Sequence, residues 1–235
     1  MSVDLVQLAD ANAVAIEAAA LLHATAASLS KTQPEVHIAV TGGTVGILML
    51  AKAAELDWAD IDTNKLHFWW GDERFVEAQS KDRNFLQAIT AWPALADMPN
   101  LHPFPSADEG LTLDDAAEQF AEVVEQSLPK FDLVFLGVGP DGHVASLFPG
   151  KSTLKSLDRV LAEHDSPKPP PARLTFSLLE LNRANRVCFV VAGVDKADAV
   201  SVAWSDDSSS LPVGLVAGVE NTLWLTDSSA TSKLY

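Results

Sequence analysis

The stretch FDLVFLGVGPDGHVASLFPG, residues 131–150, joins an unbroken apolar run to a literal G-x-G-x-x-G at Gly137, Gly139 and Gly142. A continuous apolar run without alternation is the mark of a strand buried on both faces, as in parallel sheets covered by helices. Glycines placed after such a strand raise the question of a dinucleotide site. That fingerprint needs a helix opening at the glycines and a second strand ending in an acidic residue about 20 residues on. Here HVASLFPG breaks at Pro149 and Gly150, Pro140 lies within the turn, and Asp158 precedes an apolar segment instead of ending one. The glycine spacing is a decoy. What remains is Asp141-Gly142-His143 in a tight turn at a strand end. An Asp two residues before a His on one loop can hold the imidazole in one tautomer and leave the other nitrogen facing a cleft.

Working outward, VHIAV (residues 36–40) reads as a short β-branched strand and VGILMLAKAAEL as the helix after it. HFWW ends a second strand that runs into a polar loop, GDER. RVCFVVAG is a further buried strand, VDKADAVSVAW a helix, and NTLWLTD a last strand. Residues 6–29 read as an alanine-rich opening helix, Asp82 as the cap of a helix through RNFLQAI, and residues 112–128 as a helix closed by Pro129. Residues 151–176 read as irregular, with a proline-rich surface loop at 165–172. Strands alternating with helices predict a single α/β domain over residues 1–235, Rossmann-like, with a mostly parallel sheet and helices on both faces. Ligands of such sheets bind beyond the carboxyl ends of the strands. The motifs at residues 41–44, 72–74, 141–143 and 193–196 all follow strands, so they are expected to converge on one rim.

The chain has 235 residues, a net charge of −16 and one cysteine, Cys188. Such acidity disfavours nucleic-acid phosphates and anionic membranes. The lone thiol allows no intrachain disulfide, which fits a cytoplasmic protein. The opening residues carry Asp4, Asp10 and Glu17 and no basic region, so neither a signal peptide nor a membrane span is expected. Only 16 Lys and Arg are present. An anionic ligand therefore requires a few of them to be gathered locally.

Thr41, Gly42, Gly43 and Thr44 form a glycine turn leading into a helix, whose N–H groups and dipole suit a phosphate. The bland alternative is an ordinary strand-to-helix turn capped by Thr44. Asp72 and Arg74 of GDER read as a pair at a site mouth, with Arg74 able to fork onto a phosphate or carboxylate. Arg173 and Lys196 are the next strand-adjacent cations. Ser146 lies in no nucleophile elbow and reads as structural. No paired-cysteine or H-E-x-x-H spacing offers a metal site. His23, His37, His67, His102 and His164 read as structural or exposed.

Together VTGGT, HFWWGDERFV, DRNF, LGVGPDGHVASLFPG, ARLTFSLLELNRANRVCFVVAGVDKADAV and NTLWLTD resemble, in order and over nearly the whole chain, the 6-phosphogluconolactonases. Their superfamily also holds glucosamine-6-phosphate deaminase. The deaminase pattern continues with an FNEP-like segment carrying a glutamate, whereas residues 146–149 read SLFP, on the lactonase side. The resemblance implies hydrolysis of 6-phospho-D-glucono-1,5-lactone in the oxidative pentose phosphate pathway, without cofactor or metal. His143 is implied as the general base, supported by Asp141. The TGGT loop, Arg173 and Lys196 are implied as phosphate and substrate binders, Asp72 and Arg74 as a polar wall, and Arg83 as a further positive contact. The expected partner is the phosphorylated sugar lactone, for a monomer or weak oligomer. A sugar-phosphate deaminase or isomerase using Asp72 as base, and a non-catalytic sugar-phosphate sensor, are the alternatives.

Overall fold

The computed structural model describes residues 2–234. Seven strands form one parallel sheet: β1 (Ser2–Leu8), β2 (Val36–Val40), β3 (Leu66–Trp70), β5 (Asn100–His102), β6 (Leu133–Leu136), β9 (Arg186–Val191) and β10 (Asn221–Asp227). Their order is β1-β10-β9-β6-β2-β3-β5, and every pairing is parallel. The central strands β2 and β6 are buried at every residue, as their unbroken apolar sequences require. A second, three-stranded sheet holds β4 (Asp72–Arg74), β7 (Val160–Glu163) and β8 (Arg173–Phe176) in antiparallel order β4-β8-β7.

Helices are α1 (Ala11–Leu29), α2 (Gly43–Ala53), α3 (Asn84–Ala91), α4 (Leu113–Ser127), α5 (Leu178–Leu181) and α6 (Ala197–Ala203). They lie on both faces, as expected. Successive strand residues point to opposite sides. On β3, Phe68 meets Trp92 at the end of α3, while Trp69 meets Phe120 of α4. One continuous apolar cluster runs through both layers.

Several local expectations are corrected. The opening segment is a strand before it is a helix: residues 2–8 pair in register with β10, and α1 starts only at Ala11, where Asp10 accepts the Ala13 N–H. An exposed edge strand carries little apolar alternation, so its sequence looks like helix flank. Among the described helices, α1 has the length and apolar composition of a membrane-crossing helix, despite Glu17 and His23. Here it buries Val14, Ala15, Ala18, Ala19, Leu22 and Ala26 in the core cluster, which accounts for that composition.

DER of GDER is a strand and not a loop, and the region expected to be irregular supplies its partner β8 and, beyond that, β7, which pairs with β8. Asp82 does not cap α3. The buried Glu73 does so from a distance, accepting the N–H groups of Asn84 (2.6 Å) and Phe85 (2.9 Å). Burial pushes the Glu73 carboxyl up, and those N–H groups and Arg83 partly restore its charged form.

His37, His67 and His102 line up across β2, β3 and β5, with the His67 and His102 rings stacked and Trp69 stacked on His102 at 3.8 Å. The Trp69 Nε1–H donates to His37 Nδ1 (3.3 Å), so His37 Nε2 carries the proton shared with Glu35. His67 Nδ1 and His102 Nε2 share one proton at 3.0 Å. Glu35, His37 and His67 offer ligand atoms within 4.8 Å of one another. The tautomer set by Trp69 leaves His37 Nε2 without the lone pair a metal would need.

Burial pushes all three imidazoles below 6.5, His102 to about 4, while Glu35 and Asp132 pull partly the other way. The unfolded chain therefore binds more protons between those values, so stability is intact above about pH 6.5 and falls as pH drops toward 4. Urea midpoints are expected to decline across that window, and His102→Gln, which keeps an acceptor for His67, to flatten the slope. Glu73→Ala removes a buried carboxylate that also faces the buried Arg83 Nε at 3.5 Å. It is expected to cost about 3–5 kcal/mol in chemical unfolding.

Candidate active site

The four strand-end motifs converge on one cavity of about 540 Å³, lined among others by Thr41, Gly42, Gly43, Thr44, Asp72, Arg74, His143, Lys168, Arg173 and Lys196. It lies at the carboxyl ends of β2, β3, β6 and β9, the rim where such sheets bind ligands.

His143 is delivered by the turn after β6. Gly142 adopts φ +79°, a conformation that L side chains rarely take, and the Gly139 N–H donates to the His143 carbonyl at 2.9 Å. A Cβ on Gly139 would overlap the imidazole itself. His143 Nδ1–H donates to Asp141 Oδ1 at 2.5 Å, which leaves Nε2 as the free ring nitrogen. The ring also packs on Phe148. Burial holds His143 below its usual pKa, Asp141 works against that, and Lys168 reinforces it. The imidazole is accordingly neutral near pH 7 and available to accept a proton. Burial alone would raise the Asp141 carboxyl, but the hydrogen bond from His143, and the charge of the imidazolium where it is protonated, bring it lower.

Ala145 follows with φ +49°, strained for a residue with a Cβ, and turns the chain so that Ser146 points inward. Ser146 Oγ–H donates to Asp72 Oδ2 at 2.5 Å, and its N–H donates to Thr175 Oγ1. Ser146 is thus a structural hydroxyl, as expected, tying the histidine loop to Asp72.

The TGGT turn starts α2 at Gly43, with Gly42 and not Thr44 at the cap. Among the described residues no side chain caps this helix, so its first-turn N–H groups remain for a ligand. Gly42 is required because Asn84 lies against it, and Asn84 Nδ2 donates to the Asp72 carbonyl at 2.8 Å.

Asp72 does not pair with Arg74. The β4–β8 register sets Asp72 opposite Thr175 and Arg74 opposite Arg173, so the guanidinium facing Asp72 is the diagonal one, Arg173, at 3.7 Å. Arg74 instead donates to the Asp82 carbonyl at 2.6 Å and lines the cavity. Arg173 is buried and donates through Nε and one terminal nitrogen to the carbonyls of Pro170, Lys168 and Pro169. Lys196 sits on the turn Val194–Lys196 against Asp195 at 2.9 Å.

Arg83 is not brought to the cavity. It is buried on the far side of Glu73 and donates to the Phe104 carbonyl. Its place directly before α3 turns it toward the structural carboxylate and away from the rim. Sequence reasoning passed over Lys168, Asn84 and Asp227, the last of which accepts the Gly193 N–H. Their only sequence signals were a lysine framed by prolines, an asparagine after DR, and an acidic end to the last strand.

Over residues 9–224 the chain matches the family described as glucosamine-6-phosphate isomerases/6-phosphogluconolactonase. It is 40% identical over 213 residues to the 6-phosphogluconolactonase of Mycobacterium tuberculosis, covering 84% of each chain. To that of Streptomyces coelicolor it is 36% identical, covering 96% of this chain and 92% of the relative. Among solved structures, the 6-phosphogluconolactonase of Thermotoga maritima superposes with a TM-score of 0.86 at 25% identity, covering 96% of this chain and 100% of that one. The one from Trypanosoma brucei gives 0.85 at 25% identity, covering 99% and 98%. With the DGH turn, the glycine loop and the β4–β8 pair meeting at one rim of this fold, the chain belongs to the glucosamine-6-phosphate isomerase/6-phosphogluconolactonase family.

Proposed function

We propose that this protein hydrolyses 6-phospho-D-glucono-1,5-lactone to 6-phosphogluconate, the lactone-opening step of the oxidative pentose phosphate pathway. The observation that carries the reading is the His143–Asp141 pair: a neutral imidazole with one nitrogen anchored and the other free at the cavity. No carboxylate stands in the segment that follows, Ser146 to Pro149, where an amino-sugar deaminase would need one.

A δ-lactone is an activated ester, so a base acting on water is sufficient and no covalent nucleophile is required. His143 Nε2 takes a proton as the water oxygen bonds to the lactone carbonyl carbon. Asp141 keeps the ring in the Nδ1–H tautomer and steadies the imidazolium that forms. The uncapped start of α2, Arg74 and Lys196 supply an anion cradle for the phosphate. Binding energy gained there orients the reacting carbon. Asp72, fixed by Ser146 and Asn84, forms the polar wall between the two ends. We assign the protein to the cytoplasm, as a monomer or weak oligomer. Its one cysteine, Cys188, is free and buried, so no intrachain disulfide is used, which suits a reducing compartment.

Hydrolysis of freshly generated phosphorylated lactone, corrected for spontaneous opening, tests the reading with wild type and His143→Ala side by side. Wild type is expected to accelerate opening, and His143→Ala to lose at least about a hundredfold in kcat. Acceleration by both would remove His143 from the base role. Inactivity of wild type on the lactone, with ammonia release from glucosamine 6-phosphate, would give the deaminase. Binding without turnover would give a sensor.

The acid limb of kcat/KM is expected below pH 6.5, because burial depresses the His143 pKa. Asp141→Asn removes a group that raises that pKa. It is expected to move the limb to lower pH while lowering the plateau, as a pH–rate profile would read directly.

A further inference from the structure

The lactone reading leaves Lys168 without a role, although the structure invests heavily in its position. It lies in SPKPPP, residues 166–171, with its Nζ 3.9 Å from Asp141 Oδ1. A lysine side chain 42% exposed ordinarily swings into water. Here the backbone beneath it is fixed from two sides. Arg173 donates to three consecutive carbonyls, Lys168 (3.0 Å), Pro169 (3.3 Å) and Pro170 (3.1 Å). Ser166 Oγ–H donates to the Lys168 carbonyl and accepts the Lys168 N–H. Pro169, Pro170 and Pro171 each have φ fixed by their own ring, and Pro169 restricts the backbone of Lys168 before it. A buried guanidinium bracing a second cation concentrates positive charge, which Asp141 beside Lys168 and Asp72 at 3.7 Å from Arg173 offset in part and a ligand anion would offset further.

The location says which anion. Lys168 stands against Asp141, the carboxylate that anchors His143, and so beside the base. An ammonium there opposes protonation of His143, a cost that Asp141 offsets in part and that negative charge developing on the substrate in the same step offsets further. Burial together with Lys196 and Arg173 depresses the Lys168 pKa, which makes the ammonium a stronger hydrogen-bond donor.

We propose that Lys168 is a catalytic residue that donates to the lactone carbonyl oxygen and carries its developing charge, with Arg173 as the positioning residue that holds the Lys168 loop. The proposal rests on the lactone-hydrolysis reading. In the step, the water oxygen bonds to the carbonyl carbon while the water proton passes to His143 Nε2. The carbonyl π pair moves onto oxygen, forming an oxyanion against Lys168 Nζ. That pair then returns, the bond from carbon to the ring oxygen breaks, and the ring oxygen takes the proton from His143.

The test is steady-state hydrolysis of the phosphorylated lactone by wild type, Lys168→Met and Lys168→Arg, each checked for a native circular dichroism spectrum and melting temperature. Turnover by wild type must come first; without it the lactone reading itself falls. Given turnover, Lys168→Met is expected to lower kcat by about 10²–10³, the scale for one lost oxyanion donor, with KM changed far less. Lys168→Arg is expected to recover part of kcat. An unchanged kcat in Lys168→Met, or a rise in KM larger than the fall in kcat, would overturn the proposal by making Lys168 idle or a phosphate contact. A Lys168→Arg variant no better than Lys168→Met would overturn it as well.

Discussion

The register between β4 and β8, three residues of each, is the constraint on which the rest of the site depends. It sets Asp72 opposite Thr175 and Arg74 opposite Arg173. From that pairing Thr175 Oγ1 receives the Ser146 N–H, Ser146 Oγ–H reaches Asp72, and Arg173 reaches the carbonyls of residues 168–170. A slip of one residue would turn each of these side chains to the other face of the ribbon. Asp72 would then lose Ser146, and the loop carrying Lys168 would lose its brace. The chain enters this pairing directly from the main sheet: Gly71 donates to the Val40 carbonyl and accepts from the Phe176 N–H. One glycine thus belongs to both sheets and fixes their relative placement.

The same construction explains how an acidic protein keeps a positive cavity. Arginines in the scaffold are neutralised by carboxylates: Arg159 pairs with Glu180 and Glu125, and Arg183 with Glu180. Arginines at the rim are held mainly by backbone carbonyls, Arg74 by Asp82 and Arg173 by the proline loop. A carbonyl dipole fixes a guanidinium without cancelling its charge. The net charge of −16 acts over the whole surface and is screened within about 10 Å at ordinary salt. A cavity lined by Arg74, Lys168, Arg173 and Lys196 against Asp72, Asp195 and Asp227 therefore keeps a small positive excess for a ligand close by.

What the sequence made legible follows from how local each signal is. VHIAV and NTLWLTD match β2 and β10 residue for residue, β2 because a strand buried on both faces of a parallel sheet is largely apolar, β10 because it carries residues of the β-branched and aromatic kinds that strands favour. The turn at His143 was equally readable, since Asp, Gly and His act on one another within three residues. Elements whose stability comes from elsewhere were not readable. β1 sits on an exposed edge and owes its form to β10; β8 owes its form to β4 and β7, and β7 to β8. The cap of α3 comes from Glu73, 11 residues before Asn84, so nearby Asp82 looked like the better candidate. Lys168 needed Arg173 to give it a position, and Arg83 was drawn away from the rim by Glu73.

The glycine pattern that resembles a nucleotide fingerprint is explained by the imidazole it surrounds. In a dinucleotide site such glycines let backbone approach a pyrophosphate. Here Gly139 makes room for the ring of His143, and Gly142 takes the positive φ that turns Asp141 back onto Nδ1. A side chain at Gly142 would also strike Leu211, so the turn is packed from outside as well. The spacing is set by the reach of a five-membered ring and a carboxylate, and a helix after it would serve no purpose. Pro149 and Gly150 can therefore end the segment at once, and Ala145 can bear an unfavourable φ to send Ser146 to Asp72. Histidine loop, polar wall and brace are consequently one hydrogen-bonded unit, and the base stays neutral because that unit buries it.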